Sequence, residues 1–186
     1  FTVIDYPVDE ALSYEQLAEY AMDHLPRDQP FWILAESFGG PLAVLLASRM
    51  ADHCRGLVLS ASFVRNPHPE FAWAQPLTHV LPIHTPAEQI VIRAILGRYR
   101  TEELADLLHQ AVRRVSADVI RTRLREVLSV DVSASFALLS VPILCLRATQ
   151  DWIVPSESIE YLVVRNARSL IRDVSAPHGL LQTQPQ

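Results

Sequence analysis

Lysine is missing altogether: all sixteen basic residues are arginines. Without a side-chain primary amine the chain forms no Schiff base and offers no P-loop phosphate clamp. An all-arginine basic set also fits a GC-rich, bacterial gene. Glycine is scarce, five in 186 residues, so Gly39, Gly40, Gly56, Gly97 and Gly179 each mark a special backbone need. The two cysteines, Cys54 and Cys145, make no CxxC pair, which excludes a zinc ribbon and a disulfide framework. No metal and no cofactor is expected. No apolar run reaches the roughly 18 residues of a membrane helix. The best of them, Phe136 to Leu146, is broken by Ser140 and Pro142. A net charge of −5 argues against a nucleic-acid partner.

What is present is an ordinary globular composition, 49% apolar and 20% charged, long enough for one domain with a sizeable core. The expected location is cytoplasmic. Phe1 to Asp5 is β-branched and aromatic and reads as a strand. Ser13 and Gln16 form a capping box ahead of a helical face made by Leu17, Tyr20, Ala21 and Leu25, which Pro26 ends. Phe31 to Ala35 is apolar enough for a strand buried on both faces. A small apolar helix follows from Pro41 to Met50, then a third strand from Leu57 to Ser62. Residues 64–88 carry Pro67, Pro69, Pro76, Pro82 and Pro86 and read as turns with short helical pieces. Helical periodicity holds from Glu88 to about Val130. Strand signals return at Val141 to Arg147 and Leu170 to Val174, with a helix from Ser156 to Arg168 between them. Strands alternating with helices predict an α/β fold with a mostly parallel, doubly wound sheet. Its core spans residues 1–63 and 131–186, and residues 64–130 form a small helical cap.

The sharpest local signal is Leu34-Ala-Glu-Ser37-Phe-Gly-Gly40. Ser37 falls between a strand and a helix, with Ala35 two residues before it and Gly39 two after. A turn that tight leaves room only for small residues and lifts the serine hydroxyl over the sheet edge. There the free N–H groups and dipole of the helix N-terminus favour a developing negative charge. On the residues alone, the same turn also suits a phosphate-binding loop.

The segment resembles the nucleophile elbow of the α/β-hydrolases, G-x-S-x-G, with Ala in place of the first Gly. The resemblance continues in the family's order. Val141 to Arg147 leads into Ala148-Thr-Gln-Asp151-Trp-Ile-Val-Pro155, similar to the family's acid loop. The last strand leads into Ser175-Ala-Pro-His178-Gly179, similar to its histidine loop. It therefore implies a catalytic triad of Ser37, Asp151 and His178, with the backbone N–H of Phe38 in the oxyanion hole. Asp173 and Glu36 are the other acids to weigh, Glu36 as a supporting contact. Phe63, Trp73 and Trp152 are expected to line the acyl site.

The implied activity is hydrolysis of small to medium carboxylic esters through an acyl-enzyme. Two alternatives stand beside it. One is hydrolysis of acyl groups on coenzyme A or an acidic carrier protein docked on Arg113, Arg114, Arg121, Arg123 and Arg125; the other is a non-catalytic hydrolase-fold binding module. The family's second oxyanion donor normally comes from a loop upstream of residues 1–5. Its absence predicts an N-terminally shortened core, and a bare edge at residues 1–5 that either forms a homodimer or is covered by a longer polypeptide.

Overall fold

The computed structural model describes residues 2–83 and 88–184, so Phe1, His84 and Pro86 lie outside the described residues. The capping box forms as its sequence dictates: Ser13 accepts from the Gln16 N–H and Gln16 returns the bond, opening α1 (Tyr14–Met22). After it come β1 (Phe31–Glu36), α2 (Gly39–Arg49) and β2 (Cys54–Ser60). A helical insertion follows: a 3₁₀ helix at Pro69–Val80, α3 (Glu88–Leu96), a 3₁₀ turn at Gly97–Tyr99, α4 (Glu102–Arg114) and α5 (Ala117–Ser129). Thr101 and Ser116 supply the side-chain caps of α4 and α5. An isolated antiparallel bridge between Arg65 and Asp131 closes the base of the insertion. The chain then returns through α6 (Ser133–Leu138), β3 (Ile143–Ala148), α7 (Ser156–Arg165), β4 (Ser169–Val174) and α8 (Leu180–Thr183).

The four strands are parallel and lie in the order β1-β2-β3-β4. Their carboxyl ends therefore share one sheet edge, and the loops that leave them gather there. One face of the sheet presents Leu57, Leu59, Ile143 and Cys145, with Phe31, Ile33, Ala35 and Ile171 beside them, to α2, α6 and α7. A second cluster packs α1 against the far side of α2 through Leu17, Ala18, Ala21, Leu42 and Leu46. Enclosed in this way, α2 is buried at every position from Gly39 to Ala47, which explains its uniformly apolar sequence.

Two strand expectations need correction. β1 is not buried on both faces: Trp32 is 62% and Leu34 47% exposed on the side away from α2. Trp32 instead lies across Gly56 of β2, where a Cβ would come within 2.1 Å of its ring. Residues 2–5 form no strand. A groove of about 560 Å³, lined by Thr2, Val3 and Ile4 on one side and by β1 on the other, separates them from the sheet. Paired backbones must approach to about 4.8 Å, so β-branched composition alone cannot make this segment a strand. Among the described residues the open edge on this side belongs to β1. Among the described residues no helix is long and apolar enough to cross a membrane.

Asn166, at the end of α7, fastens α6 to the core. Its buried amide donates to the carbonyls of Phe136 (2.7 Å) and Leu139 (3.0 Å) and accepts from the Arg168 N–H (3.0 Å). Asn166→Ala leaves the Leu139 carbonyl and the Arg168 N–H without these partners, while the Phe136 carbonyl keeps the Leu139 N–H (3.2 Å), and is expected to lower the unfolding free energy by about 1–3 kcal/mol. Urea denaturation checks this.

Candidate active site

Ser37 follows β1 directly and adopts φ +50°, a left-handed conformation that costs a non-glycine residue about 1–2 kcal/mol. Its neighbours show why the turn must be tight and small. A Cβ on Gly39 would sit 3.3 Å from both the Ala35 Cβ and the Tyr6 hydroxyl. On Gly40 it would fall 1.9 Å from the Ser62 Oγ and 2.8 Å from the Phe63 carbonyl oxygen. Both backbone groups of Ser37 are tied to the next strand and its loop: its N–H donates to Ser60 O (2.9 Å), and its C=O accepts from Ser62 Oγ (2.7 Å).

Phe38 is held from the other side. Its ring stacks on Tyr14 at 4.6 Å between centroids, and the Tyr14 hydroxyl donates to its carbonyl (3.0 Å). Burial raises the Tyr14 pKa, so this hydroxyl keeps its proton. Among the described residues the Phe38 N–H makes no hydrogen bond, and it points from the N-terminal end of α2.

The loops after β3 and β4 bring the other two residues to Ser37. Asp151 Oδ1 accepts from the N–H groups of Ile153 (2.7 Å) and Val154 (3.0 Å). Its Oδ2 faces His178 Nδ1 at 2.8 Å, and His178 Nε2 faces Ser37 Oγ at 2.7 Å. The Asp151 and His178 side chains are only 4% and 8% exposed. With the carboxylate on Nδ1, that nitrogen carries the proton, which leaves the Nε2 lone pair to accept the serine hydroxyl.

Asp173, the rival acid, lies on β4 in a bidentate pair with Arg147 (2.7 and 3.0 Å). Glu36 has a supporting place: it accepts from the Leu181 N–H (3.1 Å) and the Gln182 amide (2.7 Å), joining the serine turn to the segment after His178.

The expected substrate residues divide. Phe63 is buried beside the turn, with its carbonyl against Gly40, whereas Trp73 and Trp152 are 70% and 87% exposed. Three of the five clustered arginines are already engaged. Arg121 bonds Asp118 and the Leu81 carbonyl, Arg123 bonds the Pro7 carbonyl, and Arg125 meets His79. Ser62 and Tyr14 escaped the sequence reading, because each acts on a turn more than twenty residues away. The one local hint was Ser62, close behind a strand that neighbours the serine turn. Among the described residues, no cluster of three or more His, Cys, Asp or Glu side chains is placed to hold a metal ion.

Residues 13–181 match the model of the hydrolase family described as serine aminopeptidase, S33. The chain belongs to this α/β-hydrolase family. Solved structures agree on the fold. A hydrolase from Pseudomonas aeruginosa PA01 superposes with a TM-score of 0.81 at 15% identity, covering 95% of this chain and 69% of that one. A thermophilic esterase from Thermogutta terrifontis gives 0.75 at 22% identity, over 95% and 69%. The enol-lactonase from Burkholderia xenovorans LB400 gives 0.73 at 20%, over 92% and 68%. No match was found among curated proteins.

Two outcomes follow from the geometry of the hydrolase. Gly40→Ala drives a methyl group into Ser62 and the Phe63 carbonyl and is expected to cost about 1–3 kcal/mol of stability, read by thermal denaturation. Both cysteines are buried, and burial pushes the Cys145 thiol up to about 12 and raises that of Cys54. Iodoacetamide should therefore leave the native protein unlabelled at neutral pH, as checked by intact mass.

Proposed function

We propose that this hydrolase cleaves carboxylic esters of small to medium acyl chains through a covalent acyl-enzyme. The observation that carries the reading is the unbroken hydrogen-bonded line from Ser37 Oγ through His178 to Asp151, at 2.7 and 2.8 Å. Serine is a weak nucleophile until a base takes its proton, and a carboxylate behind the imidazole stabilises the cation that results.

In this scheme Ser37 Oγ attacks the ester carbonyl carbon while His178 Nε2 takes the hydroxyl proton. The oxyanion that forms is met by the Phe38 N–H and the positive end of α2. His178 then protonates the departing alkoxide, the alcohol leaves, and the acyl group stays on Ser37. Water, deprotonated by the same imidazole, attacks the acyl-enzyme, releases the acid and restores the serine.

The segment 64–130 serves as a cap over this edge, with Phe63, Trp73 and Trp152 offered to the acyl chain. The family description and the esterase and lactonase among the similar folds support a hydrolase of acyl compounds. A carrier-docked substrate is less favoured, because Arg121, Arg123 and Arg125 already serve internal contacts.

The test is a series of p-nitrophenyl esters from acetate to octanoate, run beside amino-acid p-nitroanilides. Wild type is expected to prefer the esters, and Ser37→Ala to lose about 10⁴- to 10⁶-fold in kcat while staying folded. His178→Ala should be comparably damaging and Asp173→Asn nearly silent. More than a tenth of the wild-type rate in Ser37→Ala overturns the nucleophile, and a preference for the anilides overturns the ester reading.

A further inference from the structure

The insertion grips the loop that holds Asp151, and it does so through a histidine the reaction scheme does not use. His68 stands at the start of the Pro69–Val80 helix, with its backbone fixed before any side-chain contact is made. Asn66 accepts from the His68 N–H (2.8 Å) and itself donates to the Leu128 carbonyl (2.9 Å). From this base His68 Nε2 reaches the Ile153 carbonyl oxygen at 2.8 Å, 85 residues away in sequence. A carbonyl oxygen only accepts, so Nε2 carries a proton. On the other side of the ring, Nδ1 faces Glu70 Oε1 at 3.0 Å. A backbone hydrogen bond at Glu70 itself and, after it, this bond to His68 lower the Glu70 pKa, keeping it an ionised acceptor. Both ring nitrogens of His68 thus face oxygen acceptors.

The Ile153 carbonyl belongs to the same peptide group as the Val154 N–H, and that N–H donates to Asp151 Oδ1. Pulling on the carbonyl end of a peptide strengthens the hydrogen bond at its N–H end, because bonds in a chain polarise one another. The contacts therefore run from Glu70 through His68, the 153–154 peptide and Asp151 to His178 and Ser37.

We propose that His68 is a positioning residue for the Asp151–His178 pair, acting through the 153–154 peptide, with Glu70 holding its ring in turn. The proposal rests on the ester-hydrolase reading for its kinetic consequence, though not for its structural one. It assigns the insertion a part in aligning the reacting groups, beyond any roof it forms over substrate.

The experiment compares wild type with H68F and H68Q. Phenylalanine keeps a flat ring beside Phe71 but has no donor; the glutamine amide restores an N–H. H68F is expected to lower kcat by about tenfold to a hundredfold, with KM changed less than about twofold, since misalignment of a reacting group falls on the chemical step. H68Q should recover most of the loss. Unchanged kcat in H68F, a loss confined to KM, or a folded H68Q as poor as H68F each overturns the proposal. If H68F does not fold, H68N, whose shorter amide stops short of Ile153, replaces it.

Hydrogen–deuterium exchange at the Ile153 and Val154 amides supplies a readout independent of turnover. Exchange should quicken in H68F and return toward wild type in H68Q, and identical protection in all three overturns the proposal. If wild type hydrolyses no ester, the activity reading fails, while the exchange result still decides the role of His68.

Discussion

Everything at the site depends on how closely the first turn of α2 approaches the ends of β1 and β2. Gly39 sits against Ala35, and Gly40 against Ser62 and the Phe63 carbonyl, at separations where a larger side chain would collide. That approach forces Ser37 into a left-handed conformation, a local strain of about 1–2 kcal/mol. Ser60 and Ser62 anchor both of its backbone groups to the β2 end, so the strain cannot relax by moving the serine alone. The nine consecutive buried positions of α2 supply the opposing force, since releasing the turn would lift an apolar helix away from the sheet. The same geometry sets the Phe38 N–H at the helix N-terminus, next to the serine hydroxyl.

A parallel sheet is what converts three distant pieces of sequence into one constellation. Ser37, Asp151 and His178 lie in the loops after β1, β3 and β4, and a parallel order places those loops on one edge. Each was legible in the sequence because a strand, a turn and small or helix-opening neighbours stood together. The Ser13–Gln16 capping box was equally plain, because both partners lie within one helical turn. Residues 2–5 misled for the opposite reason: β-branched composition fits a pleated surface, yet only a neighbouring backbone makes a strand. Trp32 and Leu34 misled likewise, since nothing in an apolar run says which face a helix will cover. α6 and α8, six and four residues long, are too short to show a period. His68, Asn166 and Tyr14 act through contacts with distant chain, so no local pattern announced them.

Burying a carboxylate is costly unless the protein supplies donors in place of water. Asp151 meets that demand with two N–H groups of its own loop and the Nδ1–H of His178. Among the described residues no arginine reaches it, and that choice of partners matters. A guanidinium on Asp151 would share its negative charge and weaken its hold on the His178 ring. The arginine nearest to it in sequence is Arg147, four residues upstream on β3. It is paired instead with Asp173 of β4 and Glu160 of α7. Asp173, a rival for the acid role on sequence grounds, is thus committed to Arg147. Among the described residues the partners of Asp151 are then the two loop N–H groups and His178 alone.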